Sequence, residues 1–266
     1  MQIQQNSFKR ALAEGQQLLG LWLGLGDDNA AELCAHAGFD WLLIDGEHAP
    51  NDLRSILSQL RAVQGSSTAA VVRLASDDRV MVKQHLDIGA QTLLFPMIES
   101  ADQAREVVRS CRYAPSGARG IGAAFARASR YGRVADYVHR ASDEICILLQ
   151  VETRKGIAAL EAILEVDGVD GVFVGPSDLA ADMGLPPARW GEVRVPESKQ
   201  VLESASLVGD RLVGNYLQDA SSRLRQFEAA DGKLLGEIQL PGLGTVAGLS
   251  GQPREAYTLC QSQAHQ

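Results

Sequence analysis

Short apolar runs alternate with amphipathic stretches along most of the chain. The runs cover residues 18–25 (LLGLWLGL), 39–44, 69–72, 92–97, 145–151 and 169–174, with weaker ones at 212–217 and 234–240. Runs that are apolar at successive positions, several with β-branched residues, predict strands buried on both faces, as in a parallel sheet. Between them, helical spacing places Leu53, Ile56, Leu57 and Leu60 on one face, and Val82, His85 and Leu86 on another. Asp27, Asp28 and Asn29 supply a capping signal for a helix carrying Ala31, Leu33 and Cys34. Eight strand-plus-helix units in 266 residues predict an α/β chain folded as a (β/α)8 TIM barrel, whose usual size is about 250 residues. An open doubly wound sheet is the rival. It calls for a Gly-rich phosphate turn after the first strand, and Gly24-Leu25-Gly26-Asp27 does not continue as one.

In such a barrel the chemistry sits where the strands end. The second run delivers Asp45-Gly46-Glu47-His48, two acids and an imidazole around a flexible glycine. A histidine held among carboxylates is a candidate general base; the plain alternative is a turn that leads into the helix after Pro50. The third run closes on Arg73, either an anion and enolate clamp or an ion-pair partner of Asp77 or Asp78. The fifth run closes on Gln150 and Glu152, which share a face. The sixth leads into Ser177 and Asp178. Glu152 and Asp178 are hard oxygen ligands that suit Mg²⁺, Mn²⁺ or Co²⁺ better than a closed zinc site. Taken singly, Glu152 could pair with Arg154 or Lys155 and Asp178 could cap a helix. Trp22 lines either the pocket or the core. The long stretch 113–143 has the length of a lid or binding loop, and its Arg119-Gly120 could meet a carboxylate or form an ordinary turn. Asp87, on the helix after the third run, either orients His48 or faces solvent.

A net charge of −8 argues against nucleic acid and anionic membrane partners but leaves room for a small anionic substrate beside local arginines. No apolar run is long enough to span a bilayer, and residues 1–10 lack the apolar core of a signal peptide. The four cysteines, Cys34, Cys111, Cys146 and Cys260, have no ligand or redox spacing, which predicts a reducing, cytoplasmic setting.

The segments GLWLGL (20–25), AGFDWLLIDGEHAPND (37–52), VVR (71–73), QTLLFPM (91–97), RYAPSGARGIG (112–122), LLQVET (148–153) and GVDGVFVGPSDLAADMG (168–184) resemble the metal-dependent, class II pyruvate aldolases. The resemblance implies a single barrel domain, 1–266, of the phosphoenolpyruvate/pyruvate-binding type. It implies an enzyme of aromatic-compound catabolism that cleaves 4-hydroxy-2-oxo acids, such as 4-hydroxy-2-oxoheptanedioate, to pyruvate and an aldehyde such as succinate semialdehyde. By the same resemblance His48 is the general base, Asp87 tunes it, and Arg73 binds the pyruvate unit and its enolate. Glu152 and Asp178 hold the divalent cation, while Trp22, Gln150, Ser177, Asp178, Arg119 and Gly120 contact substrate. A homohexamer with exchanged C-terminal helices is also implied.

Residues 185–266 depart from that pattern. Here stand Val213-Gly214-Asn215-Tyr216 and Gly236-Glu237-Ile238-Gln239 instead of the family's last two strands. The alternative function is therefore a non-catalytic barrel that binds a keto acid or assembles. A third reading keeps the cation and enolate but cleaves an ester or phosphoenol substrate. Schiff-base aldolase chemistry needs a lysine inside a strand, and none of Lys9, Lys83, Lys155, Lys199 and Lys233 is so placed.

Overall fold

The computed structural model describes residues 1–184, 201–208, 211–218, 221–228, 233–238, 244–250 and 259–264. The chain divides into two units, Met1–Pro186 and Pro187–Gln266.

The first unit opens with α1 (Ser7–Ala13) and then alternates strand and helix: β1 (Gly20–Leu23), α2 (Asp28–Ala35), β2 (Trp41–Asp45), α3 (Leu53–Val63), β3 (Ala69–Arg73), α4 (Arg79–Asp87), β4 (Thr92–Phe95) and α5 (Ala101–Cys111). After a long connection come the short α6 (Tyr137–Arg140) and a 3-10 turn (Ala141–Glu144). These are followed by β5 (Cys146–Val151), α7 (Arg154–Ala158), α8 (Leu160–Leu164), β6 (Gly171–Val174) and α9 (Pro176–Asp182). The helices start where the side chains say they should. Asp27 accepts the Ala30 amide at 2.7 Å, Asp52 forms a capping box with Ser55, and Asp78 and Ser100 cap α4 and α5.

The six strands lie in chain order in one parallel sheet. Period-two alternation gives it two different faces. Leu42, Ile44, Val72, Leu93, Phe95, Ile147, Leu149 and Val151 point outward into a core shared with the helices. Leu43, Val71, Leu94, Cys146, Leu148 and Phe173 point to the inner face, where Phe8 of α1 joins them from below. Phe8 meets Trp41 edge-on at 6.0 Å, and burying such a ring is worth roughly 2–3 kcal/mol. The sheet curls far enough for side chains of its first and last strands to touch: the Trp22 ring on β1 lies 5.6 Å from the Phe173 ring on β6.

The second unit is antiparallel. β7 (Val201–Val208), β8 (Arg211–Gln218), β9 (Ser221–Glu228) and β10 (Leu234–Ile238) form one sheet in the order β10-β9-β8-β7, and β11 (Gly244–Ser250) pairs with β12 (Leu259–Ala264). Tyr216, Leu224 and Phe227 are buried, and Arg225 lies 5.0 Å over the Tyr216 ring.

The expected barrel is thus met by six strands of eight. The runs expected as strands seven and eight are strands, but they pair antiparallel with β9 instead of extending the parallel sheet. The connections give the reason. Only two residues separate β7 from β8 and β8 from β9, enough for a hairpin, whereas a parallel crossover needs a dozen or more.

Candidate active site

Because the first sheet is parallel, every strand's C-terminal end lies at one rim, and there the inner face turns from apolar to charged. Asp45, the last residue of β2, stands opposite Arg73, the last of β3. Its carboxylate accepts Arg73 Nε at 2.9 Å and Nη2 at 2.6 Å, the Trp22 indole N–H at 3.2 Å, and the amides of Glu47 and His48 at 3.0 and 3.2 Å. Burial alone would raise the Asp45 pKa. These donors, Arg73 foremost, overcome it and hold the carboxyl at about 2. Arg73 also lies 5.0 Å over the Trp22 ring. Its remaining nitrogen, Nη1, is 3.0 Å from Glu47 Oε2, an ion pair by distance whose angles fall outside a hydrogen bond, so that buried oxygen has no donor. Burial raises the Glu47 pKa, with Arg73 and His48 opposing. His48 is two-thirds exposed, and its Nε2 is 3.8 Å from the same Glu47 oxygen.

Gln150 and Glu152 reach this rim from β5, both buried. Glu152 Oε1 accepts the Met97 amide at 2.8 Å, and Oε2 accepts the Gln150 side-chain amide. Met97 has φ 56°, a left-handed conformation costly for a non-glycine residue, and this turns its N–H toward the carboxylate. Gly175, between β6 and α9, sits so close that a Cβ there would lie 2.4 Å from Glu152 Oε2. The chain thus brings the next element's start right against this carboxylate. Asp178 is exposed in the first turn of α9, and Gly175 occupies the cap position. Gln150 Oε1 is buried without a hydrogen-bond donor. The donorless Gln150 amide oxygen next to the Glu152 carboxylate is a hard-oxygen pair whose chemistry suits a divalent cation. Among the described residues no group of three or more His, Cys, Asp or Glu side chains is placed to hold a metal ion.

The plain alternatives for these residues find other partners. Arg154 pairs with Asp182 and Lys155 with Glu99, leaving Glu152 to the rim, and Arg73 takes Asp45 and Glu47 instead of Asp77 or Asp78. Cross-strand register, invisible in a linear sequence, decides this.

Asp87, Arg119 and Gly120 lie elsewhere in the chain. α4 runs back from the C-terminal rim, so Asp87, its last residue, is at the opposite end from His48. Asp87 accepts Arg119 Nη2 at 2.7 Å, and Arg119 is buried over Tyr113 at 4.4 Å. Gly120 faces Lys83. Clefts of about 130 and 470 Å³ also open at that N-terminal end, around Asn6, Ser67 and Thr92 and around Phe8 and Asp40, away from the charged set. The sequence reading missed Met97, and it missed Asn51, whose amide donates to the Asp45 carbonyl at 2.8 Å. Pro96 and the Asn-Asp pair before α3 were the available signals.

Residues 18–219 match the family model described as HpcH/HpaI aldolase/citrate lyase. The 4-hydroxy-2-oxo-heptane-1,7-dioate aldolase of Salmonella dublin is 52% identical over 200 residues, 75% of this chain and 74% of that protein. The enzyme of the same name from Escherichia coli (strain ATCC 8739) is 53% identical over 201 residues, 76% and 75% of the two chains. A solved HpcH/HpaI aldolase/citrate lyase family protein from Burkholderia cenocepacia J2315 superposes with a TM-score of 0.67 at 45% identity, covering 71% of this chain and 76% of that one. Residues 179–262 match a second model, the N-terminal beta-propeller domain of prolyl oligopeptidase. The two matches overlap over residues 179–219, and four-stranded antiparallel sheets are the building blocks of propellers.

Proposed function

Because the chain belongs to the HpcH/HpaI aldolase/citrate lyase family, we propose that it is a divalent-metal-dependent carbon–carbon lyase. In this reading it cleaves 4-hydroxy-2-oxo acids, such as 4-hydroxy-2-oxoheptanedioate, to pyruvate and an aldehyde such as succinate semialdehyde. The observation that carries the reading is the pairing at one rim of a buried, fork-held arginine, Arg73, with an oxygen set centred on Glu152.

Glu152 and Asp178 would hold the cation, Mg²⁺, Mn²⁺ or Co²⁺, which when bound supplies Lewis acidity to the 2-oxo and carboxylate oxygens. The chain's own groups do the rest. Gln150 Oε1 and the backbone at Ser177 line the pyruvate end, and Trp22 walls it. His48, exposed and held only at its backbone, takes the proton of the C4 hydroxyl. The C3–C4 bond then breaks: C4 leaves as the aldehyde, and the electron pair forms an enolate across C3, C2 and the C2 oxygen. Arg73 Nη1, which Asp45 does not occupy and which rests 3.0 Å from Glu47 Oε2, would turn to the developing charge. Protonation at C3 gives pyruvate.

In its own chain Asp87 is committed to Arg119, so the tuning role that the resemblance gives Asp87 requires the His48 of a second copy. This agrees with a homo-oligomer, a hexamer by resemblance. The test is pyruvate release from 4-hydroxy-2-oxo acids with added Mn²⁺ against EDTA. Release that appears with Mn²⁺ and vanishes with EDTA is expected. A folded chain that releases none under either condition overturns the reading.

A further inference from the structure

We propose that Asn51 is a positioning residue for His48, acting as the clasp of the 45–51 loop. The loop is tied at both ends through one residue, Asp45. The carboxylate of Asp45 accepts the amides of Glu47 and His48 at 3.0 and 3.2 Å, folding the chain back on itself. The carbonyl of Asp45 accepts Asn51 Nδ2 at 2.8 Å, closing the loop where it enters α3. The His48 side chain is two-thirds exposed, and its ring nitrogen lies 3.8 Å from the Glu47 carboxylate, too far for a hydrogen bond. The imidazole's place at the rim is therefore set by its backbone, and the backbone by these three hydrogen bonds.

Asn51 itself is held in one orientation. Its Oδ1 accepts Ser55 Oγ at 2.9 Å and Gln59 Nε2 at 2.7 Å, both from α3. Two donors on the oxygen leave the nitrogen to face the Asp45 carbonyl; a flipped amide would set N–H against N–H and oxygen against oxygen. Gln59 is wholly buried, so its amide is a fixed donor. Behind the loop, Gly46 donates to the Arg73 carbonyl at 2.8 Å, in a spot where a Cβ would lie 2.6 Å from that oxygen. The chain from Asp45 to Asn51 therefore has little freedom while the clasp is closed. Serine or threonine could cap α3 or turn the loop, but neither offers a donor and an acceptor in the planar arrangement that this site uses.

The test is Asn51→Asp, which keeps the shape and the acceptor but sets an oxygen against the Asp45 carbonyl. Two readouts are needed, because the catalytic one rests on the aldolase reading and the other does not. Hydrogen exchange of the Glu47 and His48 amides should speed up by about tenfold or more in N51D, while amides of β3 and β4 keep their rates. Unchanged exchange at 47 and 48 overturns the clasp whatever the enzyme does. For turnover, kcat should fall about tenfold to a hundredfold with KM for the keto acid nearly constant, since misplacing a reacting group by about 1 Å costs that much. Adding N51D to His48→Ala should cost nothing more. A further loss in that background, or faster exchange throughout the sheet, would show general destabilisation and refute positioning through His48. If the wild-type chain releases no pyruvate, the aldolase reading fails by itself, and the exchange readout still decides the clasp.

Discussion

The two rims of the parallel sheet are both polar, yet they spend their polar groups differently. At the N-terminal rim Asn6 donates to Thr92 Oγ1 at 3.0 Å and to the Glu144 carbonyl, accepts the Lys9 amide, and gives its own amide to Glu144 Oε2 at 2.7 Å. Arg10 takes the other Glu144 oxygen at 2.9 Å. Every one of those groups is matched with a protein partner. At the C-terminal rim Glu47 Oε2 and Gln150 Oε1 are buried without donors, and Met97 is bent into a left-handed turn to serve Glu152. A satisfied network stabilises a fold, whereas unpaired buried oxygens weaken it and persist where something else binds. The Asn6–Glu144 network is thus a plug of the sheet, while buried groups without a hydrogen-bond partner lie at the C-terminal rim and, away from that network, on Arg119 and Tyr113.

The largest effect should come from Glu152→Ala, which abolishes metal-dependent pyruvate release and leaves the far-ultraviolet circular dichroism unchanged. Turnover near wild-type in that variant breaks the assignment of the C-terminal rim. Arg73→Lys should lower kcat/KM by about a hundredfold or more, because a point charge cannot keep two nitrogens on Asp45 and present a third to an enolate. Steady-state assays with saturating Mn²⁺ measure this.

Asp45→Asn sits between the two behaviours. It strips the carboxylate from a nearly buried arginine and should cost about 3 kcal/mol in urea denaturation as well as activity. Its pH signature is specific. The Asp45 carboxyl is held at about 2 in the folded chain against 3.8 for an ordinary aspartate. The extra stability is therefore complete above the ordinary value and is lost as pH falls through about 4 to 2. The wild-type chain should shed more stability over that window than the Asn variant, and equal losses would deny the pair its charge. The smallest effect belongs to Asn6→Ala, at about 1–2 kcal/mol of stability with kcat and KM unchanged. A shift in KM there, with no shift in the urea midpoint, would erase the contrast between the rims.

How much of this was readable in advance depends on which contacts are local. The six parallel strands were legible because both of their faces are apolar, so residues 69–72 and 92–97 announce β3 and β4 without reference to neighbours. Capping was equally local, as at Asp27. The Asp45–Arg73 pair was hidden because it depends on register between strands 28 residues apart, and the sequence offered Asp77 and Asp78 as nearer decoys. The role of Asn6 was hidden for the same reason: its partners Thr92 and Glu144 are 86 and 138 residues away. The opposite error occurred at residues 212–217 and 234–240. They have the composition of strands but were read as units of a barrel. β7 (VLESASLV) and β9 (SSRLRQFE), which lack a continuous apolar run, went unread beside them.

Trp22 gives the chain a built-in optical reporter. Its indole N–H is bonded to Asp45, its ring lies under the Arg73 guanidinium, and its edge rests on Phe173 from the far strand. Of the other two tryptophans, Trp41 packs on Phe8 at the far end of the sheet and Trp190 lies outside the described residues. Emission from Trp22 should therefore register any ligand that draws Arg73 away from its resting partners. A Trp22→Phe chain should be dark to the same titration, so occupancy can be followed by light even before any bond is broken.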